Sequence, residues 1–230
     1  DNSAEVASLL DSLSGGQIDF IVFQTGVGVM NLLNEAESLN RKEELSEALH
    51  RTTIIARGPK PTAVLLRNGL KPNVTTKEPF TTSDLLTAME PLDLDNKTIA
   101  VLHYGERNAA LAESLSARGA RVEELCLYEW FLPEDTTRLK TLIDEIIQQD
   151  FTAIAFTSQI QARHLFQLAA EAGKADALRQ TLNNDLVVAS VGPTCTTALQ
   201  ALGVTPDVEP EHPKMGHLVL ALMQQLNQRP

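Results

Sequence analysis

Val122-Glu123-Glu124-Leu125-Cys126-Leu127-Tyr128-Glu129-Trp130-Phe131-Leu132-Pro133 is the stretch from which the whole chain is read. It follows a helical pattern that closes at Arg118-Gly119 and reads as an extended segment leaving one half of the chain and entering the other. It carries the single tryptophan, Trp130, and one of two tyrosines, Tyr128. Related sequence lies on either side of it.

Sliding the chain against itself exposes the relation. Ile21-Val22-Phe23-Gln24-Thr25 matches Ile154-Ala155-Phe156-Thr157-Ser158, 133 positions on (21 to 154). Gly58, Pro59, Thr62, Leu65, Gly69, Pro72 and Val74 recur as Gly192, Pro193, Thr196, Leu199, Gly203, Pro206 and Val208, 134 positions on (58 to 192). Pro79, Leu86 and Met89 continue the series as Pro213, Leu220 and Met223. Two motifs in one order at nearly one offset predict two similar domains. The expected boundaries are 1–122 for the first domain, 123–133 for a linking strand and 134–230 for the second domain. A connection this thin is expected to permit domain motion.

Composition narrows the function classes. The 43% hydrophobic content supports real cores, and 230 residues hold one large or two small domains. A net charge of −11 disfavours duplex nucleic acid, which needs a basic face, so no nucleic-acid partner is expected. It does not disfavour small ligands, because a local patch can oppose the global sign. No apolar run approaches the length of a membrane span, and Asp1-Asn2-Ser3-Ala4-Glu5 is too polar for a signal peptide. Cys126 and Cys195 lie in different repeats without CxxC spacing and read as reduced thiols of a cytoplasmic protein. The five histidines have no ligand spacing, so no metal is expected.

In chain order, apolar strands are expected at 18–23, 52–56, 74–75, 98–102, 153–156, 186–191 and 207–209. Helices are expected at 4–13, from 29 onward, at 45–49, 62–68, 82–90, 109–118, 136–149, 162–172, 178–183, 196–202 and 216–228. Short, wholly apolar strands alternating with helices predict a parallel sheet covered on both faces. The first half supplies four or five strands and the second about three, fewer than the ~4–6 usual in a sheet. The chain does not open with Met, and a strand and helix preceding Asp1 are expected to complete the second domain.

Ligands of such sheets bind outside the carboxyl ends of the strands. Those ends are Thr25-Gly26-Val27-Gly28, Arg57-Gly58-Pro59-Lys60, Tyr104-Gly105-Glu106-Arg107, Thr157-Ser158-Gln159 and Gly192-Pro193-Thr194. Each precedes a helix, so backbone N–H groups and the positive dipole end point into the loop, which suits carboxylates or phosphates. One such loop alone is ordinary turn and cap chemistry; equivalent loops in two repeats predict a shared cleft. Gly26-Val27-Gly28 lacks the third glycine of a dinucleotide fingerprint, and no GxxxxGK[ST] occurs. Tyr128 by itself reads as a half-buried aromatic on a linking strand.

The motifs together resemble uroporphyrinogen-III synthases. Asp19-Phe20-Ile21-Val22-Phe23-Gln24-Thr25-Gly26-Val27-Gly28-Val29 is similar to that family's D-hydrophobic-F-T-S-x-N-G-V segment, and Ile154-Ala155-Phe156-Thr157-Ser158 to its second F-T-S. Val191-Gly192-Pro193-Thr194 with Ala198-Leu199 and Gly203 resembles its V-G-x-x-T-A-x-A-L-x-x-x-G segment, and 122–128 its linking strand. Departures are Gln24-Thr25 in place of Thr-Ser, and Pro61 and Cys195 where the family often has Thr.

The resemblance implies two doubly wound, flavodoxin-like α/β domains joined by a two-stranded linker. It implies cyclisation of hydroxymethylbilane to uroporphyrinogen III with inversion of ring D and loss of water, in a cytoplasmic, monomeric enzyme without cofactor. The implied partner is a linear tetrapyrrole with eight carboxylates. Tyr128 corresponds by position to the tyrosine that donates a proton to the departing hydroxyl. Binding is expected from Thr25, Gly26, Val27, Gly28, Arg57, Gly58, Lys60, Tyr104, Gly105, Arg107, Thr157, Ser158, Gln159, Gly192, Pro193 and Thr194. Arg163 and Lys214 are expected to add positive charge nearby. The competing expectation is a non-catalytic, two-lobed ligand-sensing domain of a fused regulator.

Overall fold

The computed structural model describes residues 3–103, 105, 107–128 and 131–228. The chain divides into two compact units, Asp1–Trp130 and Phe131–Pro230.

The first unit is a five-stranded parallel sheet in the order β3-β2-β1-β4-β5. Its strands are β1 (Phe20–Phe23), β2 (Thr53–Ala56), β3 (Val74–Thr75), β4 (Thr98–Leu102) and β5 (Arg121–Leu125). Alternate residues of each strand serve opposite faces. Ile21, Phe23, Ile54, Ala56, Ala100 and Leu102 join one core, and Phe20, Val22, Ile55, Ile99 and Val101 join the other. The first core is closed by α1 (Ser3–Ser14), α2 (Gly26–Ser38), α3 (Lys42–Arg51) and α4 (Pro59–Arg67). The second is closed by α5 (Thr82–Met89) and α6 (Ala109–Ser116). The α1 stripe of Val6, Leu9, Leu10 and Leu13 is wholly buried, as its 3–4 spacing requires.

The second unit has β6 (Ala153–Phe156) and β7 (Val187–Ser190), paired in parallel. The strand expected at 207–209 is reduced to one parallel bridge, Ala189 with Val208. Around these lie α7 (Thr137–Ile147), α8 (Gln159–Glu171), α9 (Ala175–Asn184), α10 (Pro193–Ala201) and α11 (Met215–Gln228). Among the described residues β6 is paired on one side only. A groove of about 500 Å³ runs beside it, lined by apolar side chains including Leu139, Leu142, Ile146, Ile154 and Leu165.

The repeat is visible in hydrogen bonds. Asn73 Oδ1 accepts from Ile54 N at 2.7 Å, and Asp207 Oδ2, 134 positions on, accepts from Val188 N at 2.8 Å. In both units a short carboxamide or carboxylate thus satisfies a strand N–H next to the neighbouring chain, which a backbone alone leaves open. The repeat diverges where the sheets differ. Met89 is fully buried on α5, whereas Met223, its counterpart on α11, is exposed along with Met215, Val219 and Leu220. A two-stranded sheet offers less surface for a covering helix to bury.

Residues expected to form a free linking strand at 123–133 are in part the sheet edge of the first unit. Glu123, Glu124 and Leu125 pair with Ala100, Val101 and Leu102 of β4. Backbone pairing continues one step further, with His103 N donating to Leu125 O at 2.7 Å. Edge pairing satisfies those backbone groups better than water-exposed extended chain. Trp130 lies outside the described residues.

Candidate functional site

The βα connections are tighter than the sequence suggests: helix begins within most of the stretches expected to be loops. Gly26, Val27 and Gly28 form the first turn of α2, with Thr25 as its N-cap accepting Gly28 N–H at 3.0 Å. Threonine is favoured there because its oxygen fills one of the helix's unpaired amides. Gly26 is required by crowding, since a Cβ would stand 3.1 Å from Lys60 O and 3.2 Å from Val64 Cγ2, where α2 crosses α4. Pro59 and Lys60 open α4 behind Gly58. Gly58 has φ of 92°, a conformation that favours glycine, and a Cβ there would meet the Phe80 ring at 3.1 Å.

The second unit repeats this construction. Gly192 precedes Pro193 and Thr194, the first residues of α10, and a Cβ on it would lie 2.7 Å from Pro213 Cβ. Pro213 is the counterpart of Pro79, next to Phe80, so the repeated glycine meets the repeated proline segment in both units. Ser158 stands at the N-cap position of α8, with Gln159 already helical and buried. Thr157 N and Oγ1 both donate to Gln161 Oε1, at 2.9 and 3.2 Å.

Within the first unit, the carboxyl ends of β1, β2, β4 and β5 carry Thr25, Arg57 and Lys60, Gly105 and Arg107, and Tyr128 respectively. Tyr128 Oη lies 3.0 Å from Thr25 Oγ1. The structure therefore joins Tyr128, three residues beyond the edge strand, to the helix start after β1, although β4 lies between the two strands. Lys60 is exposed, and Arg107 is exposed with NH1 3.6 Å from Glu124 Oε2. Arg163 and Lys214 are exposed on the second unit. Val27 and Met30 of α2 are half-exposed apolar groups on the same helix start. Tyr104 lies outside the described residues.

Sequence reasoning missed a buried polar cluster under this end of the sheet. His103 directly follows β4, and its side chain is wholly buried. Its Nδ1 accepts from Asn108 N at 3.2 Å and lies 3.1 Å from Gln24 Nε2. Two donors on Nδ1 place the ring proton on Nε2, which donates to Glu124 Oε1 at 2.8 Å. Burial pushes the His103 pKa down, opposed by the Glu124 hydrogen bond. Gln24 is 2% exposed, and its Oε1 is buried without a partner. Asn108 Oδ1 caps α6 at Leu111 N, 3.1 Å away, and Asn108 Nδ2 donates to Thr82 Oγ1 at 2.9 Å. The available signal was a histidine placed at once after an apolar strand, together with Gln24 in a motif position that usually holds threonine. No group of three or more metal-ligating side chains occurs among the described residues. No described helix is long and apolar enough to cross a membrane.

The family model for uroporphyrinogen-III synthase HemD matches residues 1–220. The chain belongs to the uroporphyrinogen-III synthase family. It is 31% identical over 204 residues to a Bacillus subtilis protein named as an uncharacterized protein, YjjA, covering 89% of this chain and 75% of that one. A solved mutant uroporphyrinogen III synthase of Thermus thermophilus superposes with a TM-score of 0.75 at 27% identity, covering 99% of this chain and 85% of the other. The wild-type Thermus thermophilus enzyme in another crystal form gives 0.59 at 29% identity, with 97% and 83% covered. The resemblance read from the βα motifs is thereby confirmed at the level of family, and the parallel α/β fold is that of uroporphyrinogen III synthases.

Proposed function

We propose that the protein closes hydroxymethylbilane to uroporphyrinogen III, with inversion of ring D and loss of water. The observation that carries this reading is the 3.0 Å contact between the Tyr128 hydroxyl and Thr25 Oγ1. It sets a phenol beside the start of α2, at the end of the sheet where ligands of parallel α/β folds bind. In this reading the finer architecture is two flavodoxin-like lobes with a linking strand.

Eight carboxylates suit such helix starts. Each presents unpaired amides and the positive end of a dipole, worth about 0.3–1 kcal/mol per anion where exposed. Arg57, Lys60 and Arg107 add full charges on the first unit. Val27 and Met30 give pyrrole rings an apolar surface on the start of α2.

The chemistry asks little of acid–base groups. An electron-rich pyrrole expels the hydroxyl readily, and a proton from Tyr128 lets it leave as water. The carbon that carried it then bonds to the substituted α-carbon of ring D. The bond from that α-carbon to the bridge of ring C breaks, ring D turns over, and the bridge bonds its free α-carbon, whose proton is lost and restores the phenol. Phenols ionise only near pH ~10, so the donor is loaded at neutral pH. Folding the bilane so that its ends meet is the larger task, and it is one of orientation.

Incubation of the protein with freshly generated hydroxymethylbilane, followed by separation of the type I and type III isomers, tests the reading. Type III at an enzyme-dependent rate is expected. Type I alone, at the rate without protein, would refute it.

A further inference from the structure

We propose that His103 is a positioning residue that sets the spacing of Thr25 and Tyr128. This inference deepens the catalytic reading above. It rests on sheet order. β4 lies between β1 and β5, and adjacent strands are spaced by about 4.8 Å, so the backbones leading to Thr25 and Tyr128 are not neighbours. The hydroxyl contact between Thr25 and Tyr128 crosses over β4. His103 stands at the carboxyl end of that middle strand and reaches to both sides. One ring nitrogen meets Gln24, the residue before Thr25, and the other meets Glu124, four residues before Tyr128.

Each arm of this bridge is buried or partly buried and directional. The His103 side chain is 0% exposed, that of Glu124 is 25%, and Gln24 is 2%. Nδ1 also accepts Asn108 N–H, so the imidazole holds the start of α6 in the same arrangement. Nothing in the reading of the reaction uses His103, and a wholly apolar residue in its place would take from Gln24 Nε2, Asn108 N–H and Glu124 Oε1 the hydrogen bonds that the imidazole supplies. Buried polar groups are retained when every member is satisfied. Within this cluster, among the described residues, the one orphan is Gln24 Oε1. Turning the Gln24 amide would give that oxygen a donor only if Nδ1 carried the proton, and Asn108 N–H excludes that state. The cluster therefore holds one tautomer and one spacing.

Two measurements test the assignment. First, nitrogen-15 spectra of histidine-labelled protein should show one ring with the proton on Nε2 and none on Nδ1. In His103→Gln, which retains a donor toward Glu124, the Tyr128 ring signals should move as they do in Thr25→Ala. A proton on Nδ1, or unmoved Tyr128 signals, would overturn the proposal, and neither readout needs turnover. Second, with type III formation by the wild type established beforehand, His103→Gln should lower kcat by about 10–100-fold with little change in KM, as expected for a sub-ångström to ångström misplacement. In a Tyr128→Phe background the same change should cost about twofold or less, the scatter of independent sites. A merely structural role would cost the same factor in both backgrounds, and that result would sink the proposal. Failure of the wild type to form type III would count against the catalytic reading alone, because the spectra would still decide the spacing.

Discussion

Thr25 Oγ1 serves two partners: it accepts the Gly28 amide at 3.0 Å as the cap of α2 and lies 3.0 Å from the Tyr128 hydroxyl. One oxygen thus joins a helix start to the phenol. With Gly28 N–H occupying one lone pair, Thr25 Oγ1 keeps a second lone pair and its own hydrogen, so either hydroxyl can donate across the contact.

Tyr128→Phe should lower kcat by at most about 10²–10⁴-fold, the usual contribution of a positioned proton donor, with the melting temperature nearly unchanged because the ring remains. Tyr104→Phe is the control and should cost less. Full activity in Tyr128→Phe together with loss in Tyr104→Phe would move the acid to the other tyrosine.

Thr25→Ser should keep both the cap and the contact, and so keep activity. Thr25→Ala should lose about 1 kcal/mol of stability, the typical worth of an N-cap, and reduce turnover as well. Chemical denaturation beside isomer assays separates the two losses. An alanine variant that turns over at the wild-type rate would remove Thr25 from the site.

Gly192→Ala should destabilise the second unit by about 1–3 kcal/mol, because its Cβ would lie 2.7 Å from Pro213 Cβ and the backbone has to shift. Gly58→Ala should cost a similar amount through its positive φ and the Phe80 ring. Equal melting temperatures for wild type and both variants would contradict the close approaches.

Stability should depend on pH through His103. Burial lowers its pKa in the fold below the ordinary 6.5, so the unfolded chain binds the proton more readily. Its contribution is complete above about pH 6.5 and is lost as the pH falls from there toward the folded value. Among the described residues the charged groups facing the cluster are Glu124 on β5 and Arg107 beyond it. His103→Gln should flatten the stability profile over that window, measured by denaturant midpoints at stepped pH.

A second, more acidic step should come from Glu44. Hydrogen bonds from Arg41 and Ser14 lower its pKa from 4.5 to about 2. The carboxylate's contribution is present above about pH 4.5 and fades as the pH falls toward 2. Arg41 also holds Asp11 at 2.7 Å, tying α3 to α1. Glu44→Gln should blunt the acid transition while leaving in place the His103-dependent loss that begins near pH 6.5.

By itself the sequence determined the alternation of strand and helix and the family. The unbroken apolar run Phe20, Ile21, Val22 and Phe23, the 3–4 stripe of α1 and the paired Gly-Pro motifs are local patterns, and local patterns survive without knowledge of neighbours. Helices start at 26, 59 and 193, three residues before the apolar periodicity begins, because caps are chosen by hydrogen bonds such as that of Thr25 to Gly28, which apolar periodicity does not register. The strand expected at 207–209 reduced to a bridge, since a strand needs a partner and propensity supplies none. Only the tertiary structure decided that Glu123, Glu124 and Leu125 are an edge strand, that Gln24, His103 and Glu124 meet across three strands, and that Tyr128 reaches Thr25. These contacts join residues 21 to 103 positions apart, and only the strand order brings such residues within hydrogen-bonding range.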